Sequence, residues 1–162
     1  MPIVLFRVDE RLIHGQVVVG WGEHLYAERI TVIDDEVATS SWERDLYCLG
    51  VPPSVEVGFA TVTAAREALS QWRADPRRMI VLVRDVETLE RLAAGDILER
   101  EEINLGGIHF APGRDRLLPY LFLSRAECDR LRRVAAGGAV ISARDLPGTR
   151  PVALKDLLPT EG

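Results

Sequence analysis

This chain of 162 residues predicts an α/β fold, an open and mostly parallel sheet with helices on both faces. Two observations carry that expectation. Short β-rich apolar runs alternate with segments of helical period almost throughout, and parallel strands need such crossover segments between them. Met79 to Val83 is apolar at every position, the mark of a central strand buried on both faces. Length and composition fit a single domain over residues 1–162: 47% hydrophobic and 28% charged residues are ordinary for a globular protein with a real core.

The elements follow in order. Ile3 to Phe6 reads as the first strand, and a loop carries His14 into a helix from Gln16 to Ala27, with Val17, Val18, Trp21 and Leu25 on one side. Ile30 to Ile33 is the second strand and ends at Asp34-Asp35. A helix from Ser40 to Leu49 stops at Gly50, with Pro52-Pro53 beyond it. Val55 to Phe59 is the third strand. Thr63 can cap a helix reaching Arg73, closed by Asp75-Pro76. After Met79 to Val83, Asp85 caps a short helix ending at Gly95. Ile103 to Leu105 leads to Gly106-Gly107, and Ile108 to Leu123 reads as an irregular stretch with an antiparallel hairpin. Ser124-Arg-Ala-Glu127 is a capping box opening a helix to Gly137-Gly138. Ala139 to Ser142 is the last strand, followed by Arg144-Asp-Leu-Pro147 and a weakly specified tail from Pro151. Trp42 and Trp72 read as core, and Cys48 and Cys128 as buried free thiols.

Several functions are excluded at this level. A net charge of -5 without a basic patch argues against nucleic-acid binding. No apolar run reaches the length of a membrane span and the N-terminus is too short for a signal peptide, so the expected location is the cytoplasm. There is no G-x-x-x-x-G-K-[ST], no G-x-G-x-x-G after the first strand, no G-x-S-x-G and no Cys-x-x-Cys.

In a parallel sheet the ligand crevice lies beyond the carboxyl ends of the strands. The His14 loop, Asp34-Asp35, Arg84-Asp85 and Gly106-Gly107 all fall on that edge. The run Arg7-Val-Asp-Glu-Arg-Leu-Ile-His-Gly-Gln16 is the most informative of these. Imidazole beside arginines suits phosphoryl transfer better than metal binding, because arginines repel a metal cation and favour a doubly charged oxyanion. Gly15 lets the backbone turn sharply and leaves the ring unshielded. Arg11, three residues before His14, can bind phosphoryl oxygens, and the first turn of the following helix adds backbone amides. Asp9 can hold Arg11 or the histidine in place. Arg7 reads equally as a second fork for the anion and as a surface partner of Asp9 or Glu10. His24 reads as a solvated helix residue and His109 as a structural histidine of the sheet that could reach the edge. Asp34-Asp35 reads as helix capping with an arginine partner rather than a Mg²⁺ pair.

The run Arg7 to Val17 resembles the active-site signature of the IIB component of the mannose/fructose/sorbose family of the bacterial phosphoenolpyruvate-dependent sugar phosphotransferase system (PTS). Val-Ile-Asp34-Asp35-Glu-Val-Ala, Val51-Pro52-Pro53, Asn104-Leu-Gly-Gly107 and Arg144-Asp-Leu-Pro147 follow in the order of that family. Glu10 stands where aspartate is more usual, and Phe110 to Phe122 is less typical. The resemblance implies about seven strands and a cytoplasmic phosphocarrier, peripherally associated with a membrane permease. It implies that His14 accepts a phosphoryl group on Nδ1 from a phosphorylated IIA protein or domain. His14 then passes it to a sugar held by membrane IIC and IID components, the activity of a phosphohistidine–sugar phosphotransferase. Arg11 matches the arginine beside the phosphoryl group, Asp9 a supporting acid, and Arg144 a second, late arginine. No metal or diffusible cofactor is implied. An alternative within the same chemistry is a module that takes phosphate at His14 and signals to a protein partner without sugar transport. A ligand-binding α/β protein without catalysis is a third reading.

Overall fold

A computed structural model describes residues 3–158. Nine strands occur among them: β1 (Ile3–Val8), β2 (Arg29–Ile33), β3 (Glu56–Ala60), β4 (Met79–Val83), β5 (Glu102–Leu105), β6 (Arg114–Leu118), β7 (Leu121–Ser124), β8 (Val140–Ala143) and β9 (Val152–Ala153). Seven of them form one sheet in the order β3-β2-β4-β1-β5-β8-β9. All its pairs are parallel except β8 with β9. The helices are α1 (Asp35–Ala38), α2 (Ser41–Cys48), α3 (Val62–Ala74), α4 (Val86–Ala93), α5 (Arg125–Ala136) and α6 (Leu154–Leu157), with a π-helix over Gln16–Glu23. The order switches direction at β1, which places the ends of β1, β4 and β5 beside one another, where an open α/β sheet builds its sites.

Alternation along each strand divides the core in two. Phe6, Val8, Met79, Val81, Val83, Ile103 and Leu105 face α3, α4 and α5. Leu5, Ile30, Val32, Ile80 and Leu82 face the π-helix, α1 and α2. β4 is buried at all five positions, so its side chains contribute to both layers, each worth roughly 1.5–3 kcal/mol of burial.

Sequence expectations and structure part at particular places. The helix after His14 is π-helical and ends at Glu23, shorter than the pattern suggested. Thr61, not Thr63, caps α3, accepting from the Ala64 amide. Asp85 and the Ser124/Glu127 box cap α4 and α5 as expected. Trp72 is buried but Trp42 is 67% exposed, because α2 buries none of its residues fully and only half-buried Tyr47 packs on the sheet. Cys48 is exposed on that same helix, whereas Cys128 is buried in α5. The hairpin is β6–β7, a separate two-stranded sheet. The tail holds an element the sequence did not announce: β9 closes the sheet edge antiparallel to β8, and two residues are too short to show alternation.

Candidate active site

The site grows from the end of β1. Its last inward polar pair is Arg7 and Asp9, both with fully buried side chains. Asp9 donates its amide to Val83 O at 2.9 Å, so the chain leaves the sheet pinned to β4. The Leu12 amide returns to Asp9 O at 3.0 Å, closing a turn in which Leu12 itself takes the left-handed conformation (φ 55°) with its side chain buried. Left-handed leucine costs on the order of 1 kcal/mol, and packing holds it there. The sharp bend is thus at Leu12. Gly15 is helical (φ -52°, ψ -43°), and its lack of a side chain serves openness rather than conformation: a methyl there would meet nothing within 4 Å.

The turn brings His14 back over Asp9. His14 Nε2 lies 3.2 Å from Asp9 Oδ2, an ion-pair distance without the alignment of a hydrogen bond, it has no other partner, and the ring is only 13% exposed. The Arg11 amide donates to Asp9 Oδ1 at 3.1 Å, while the Arg11 guanidinium, 45% exposed, donates to Gln16 Oε1 at 2.9 Å. Burial pushes the Asp9 pKa up, but His14, Arg7 and the Arg11 amide together outweigh it and hold the carboxyl below the usual range. A steady carboxylate against Nε2 favours the tautomer with its proton on Nε2, which leaves Nδ1 with a lone pair. The π-helix begins two residues on, and its Val17 and Val18 amides donate to the His14 carbonyl (3.0 and 2.9 Å), which anchors the backbone under the ring.

Arg7 is neither an open fork for an anion nor a surface partner. It is completely buried: Nε donates to Asp9 Oδ2 (3.2 Å), Nη1 to Asn104 Oδ1 and to Arg144 O (2.8 Å), and Nη2 to Asp145 O (3.2 Å). Its Cζ sits 5.3 Å from the Trp21 ring centre, and Trp21 Nε1 donates to the same Asp145 carbonyl (3.0 Å). Burial lowers the Arg7 pKa, against the pull of Asp9. This guanidinium ties β1, β5, the π-helix and the segment after β8 into one frame around Asp9. Asn104 and Trp21 were not singled out as site residues from the sequence. The available signal was a polar residue next to last in each of two largely apolar strands, Arg7 in β1 and Asn104 in β5, which the sheet makes register partners.

Arg144 turns elsewhere. Its Nε donates to Thr149 O (2.8 Å) and Nη2 to Pro147 O, with Cζ 5.7 Å from the Trp21 ring centre. The Arg144 contribution to the Asp9 frame is its carbonyl. Asp34 caps α1 through the Val37 amide (3.0 Å) with Arg84 nearby at 3.7 Å, and Asp35 accepts from Arg91 (2.8 Å). Among the described residues no group of three or more His, Cys, Asp and Glu side chains is arranged to hold a metal ion. His24 is exposed, and His109 stands at the carboxyl edge rather than within the sheet, paired with Glu10.

These features define a class: an open parallel α/β domain that presents an acid-steered imidazole, flanked by an arginine and a helix start, at its carboxyl edge. Within that class the chain belongs to the family of PTS system sorbose subfamily IIB components, whose family model matches residues 3–162. It is 27% identical over 155 residues to the N-acetylgalactosamine-specific phosphotransferase enzyme IIB component 1 of Escherichia coli K12, covering 95% of this chain and 97% of that one. It is 26% identical to the mannose-specific EIIAB component of the same strain over 98% of its own length, but spans only 49% of that longer protein. The crystal structure of manxB from Thermoanaerobacter tengcongensis superposes with a TM-score of 0.84 at 28% identity, covering 95% and 93% of the two chains. A IIB component is a phosphocarrier of the sugar phosphotransferase system and works with IIA and membrane IIC and IID components. No helix of the described residues is long and apolar enough to cross a membrane.

Proposed function

We propose that His14 is the phosphoryl acceptor and that Nδ1 is its attacking atom. The observation carrying this reading is the 3.2 Å approach of Nε2 to the buried Asp9 carboxylate, which commits one ring nitrogen and leaves the other to react. Attack forms the Nδ1–P bond as the N–P bond of a phosphohistidine on the IIA donor breaks. The donor imidazole regains its lone pair, and the Nε2 proton of His14 stays facing the Asp9 carboxylate. Arg11, released from Gln16, neutralises the phosphoryl oxygens. In the onward step a sugar hydroxyl held by the membrane IIC and IID components forms the O–P bond as Nδ1–P breaks, the electron pair returning to Nδ1 and the hydroxyl proton leaving to water. The sugars named for the relatives are N-acetylgalactosamine, mannose, sorbose and fructose. A hexose or amino sugar of that kind is the acceptor we assign. Arg144 acts in this scheme through its carbonyl on Arg7.

The test is intact-protein mass after incubation with phosphoenolpyruvate, the general phosphotransferase proteins and a family IIA. One acid-labile phosphate on the wild-type chain, absent from a folded His14→Ala variant, is expected. No phosphate on the wild-type chain beside an active IIA control overturns the reading.

A further inference from the structure

The loop after β5 leaves the sheet alongside the His14 loop. Gly106 N donates to Val8 O (2.8 Å) and Glu10 N to Gly107 O (2.9 Å), so the two loops are laced together as they emerge. Gly107 sits between them: a methyl there would lie 3.6 Å from Asp9 Oδ1 and 3.7 Å from His109 Nε2, so little more than one small group separates the two. Glu10 then binds His109 twice, through its ring Nδ1 (2.9 Å) and its backbone amide (3.2 Å). Arg114 holds Glu10 Oε1 (2.6 Å) and the His109 carbonyl (2.9 Å), and its remaining nitrogens fork onto Glu127 (2.9 and 3.0 Å) at the start of α5. The chain at 108 also pairs with the hairpin, Phe122 N donating to Ile108 O at 2.8 Å.

This lattice of contacts stiffens a segment whose outer surface has no use within the chain. Phe110 is 71% exposed, touching Phe122 only edge-on at 6.2 Å between ring centres, and the His109 side chain is 53% exposed with Nε2 unengaged by Glu10. An exposed aromatic on a pre-ordered backbone costs little entropy to bury against a partner, which is the profile of an interface anchor. Position selects the proteins that must reach His14, and of these the phosphohistidine donor is the one that a relative, the mannose-specific EIIAB component, carries in the same chain. A protein that brings a phosphohistidine within bonding distance of His14 must cover the rim around it, and this rim begins one glycine away from Asp9.

We infer that the His109–Phe110 segment is a docking rim for the IIA protein that donates the phosphoryl group, with Phe110 as its apolar anchor. The inference rests on His14 as acceptor. The test compares two donors on the same full-length chain: phosphorylated IIA, and phosphoramidate, a small phosphoryl donor that needs no docking surface. Phe110→Ala is expected to raise KM for phosphorylated IIA about tenfold with little change in kcat, to leave labelling by phosphoramidate unchanged, and to be rescued by Phe110→Tyr. An unchanged KM for phosphorylated IIA overturns the docking rim while leaving His14 as acceptor intact. So does a defect confined to onward transfer to the membrane components, which assigns the rim to them, and so does equal slowing with both donors, which makes Phe110 structural. Absence of label on His14 in the wild-type chain from either donor overturns the function and the rim together.

Discussion

Replacing Arg7 with alanine strips the buried carboxylate of Asp9 of its one fully enclosed cation. It also leaves Asn104 Oδ1 and the Arg144 carbonyl without their guanidinium donor, though Asn104 Nδ2 remains 3.4 Å from that carbonyl. The Asp145 carbonyl keeps Trp21 Nε1 at 3.0 Å. Breaking a buried pair by removing one partner costs about 3–5 kcal/mol, a large fraction of the roughly 5–15 kcal/mol that stabilises a domain. For a chain of this length that corresponds to a fall in Tm of roughly 6–20 °C. The loss carries a signature in pH. In the wild-type chain the Asp9 pKa is lowered, so its contribution to stability is present above the unfolded carboxylate pKa and is lost as pH falls through the folded value. Burial is already the largest single influence on Asp9, and without Arg7 less opposes it, so the folded pKa moves upward. The destabilisation then grows as pH rises from the unfolded value through the new folded one. Urea unfolding of wild type and Arg7→Ala at pH 5 and pH 7.5 measures this directly: the gap in stability should be wider at the higher pH. A gap below about 1 kcal/mol, or one independent of pH, refutes the assignment of Arg7 as a charge that, with His14, holds Asp9 ionised.

Arg11→Ala removes a half-exposed guanidinium whose side-chain hydrogen bond is to Gln16, so stability should change by less than about 0.5 kcal/mol while transfer to His14 slows roughly 10- to 100-fold. Rapid-quench labelling from phosphorylated IIA reads the rate, and a rate equal to wild type removes Arg11 from the site. Gly106→Ala places a methyl 2.5 Å from Arg7 Nε and closer still to Cζ and Nη2, in a guanidinium that packing leaves no room to withdraw. Overpacking of this kind costs about 1–3 kcal/mol, and displacement of Arg7 should also disturb the His14 ring resonances in NMR spectra. A wild-type unfolding midpoint for Gly106→Ala shows that the frame around Arg7 yields more readily than its contacts indicate.

The parallel sheet was readable because its evidence is redundant: each apolar run between helical segments repeats the same signal, and β4 states its burial at five consecutive positions. The loop bearing His14 was equally open to reading, since its residue types sit within ten positions of one another. What escaped depends on neighbours remote in sequence. Trp42 has the spacing of a core residue, but α2 lies at the margin of its layer and presents only Tyr47 to the sheet. Arg7 has the composition of an anion ligand. Only the pairing of β1 with β5 and the carbonyls delivered from 137 and 138 residues away turn it inward.

Asp9 shows why such a site tolerates a cation buried completely out of water. A lone carboxylate under the sheet edge would take up a proton and could no longer fix the histidine tautomer, so the charge on Asp9 has to be maintained from below. Arg11 contributes less to that task, because its guanidinium is half exposed and screened, with Nε 3.9 Å from Asp9 Oδ1, and in the proposed transfer it moves to the phosphoryl oxygens. The two arginines of one signature therefore divide the work by strand geometry. Arg7, the penultimate residue of β1, points into the Trp21 layer and helps sustain the carboxylate, whereas Arg11, past the turn, is half exposed between Gln16 and the rim of Asp9, from where the proposed transfer turns it to the anion. A lysine at position 7 would keep the charge but could not span Asp9, Asn104 and two carbonyls from one planar group.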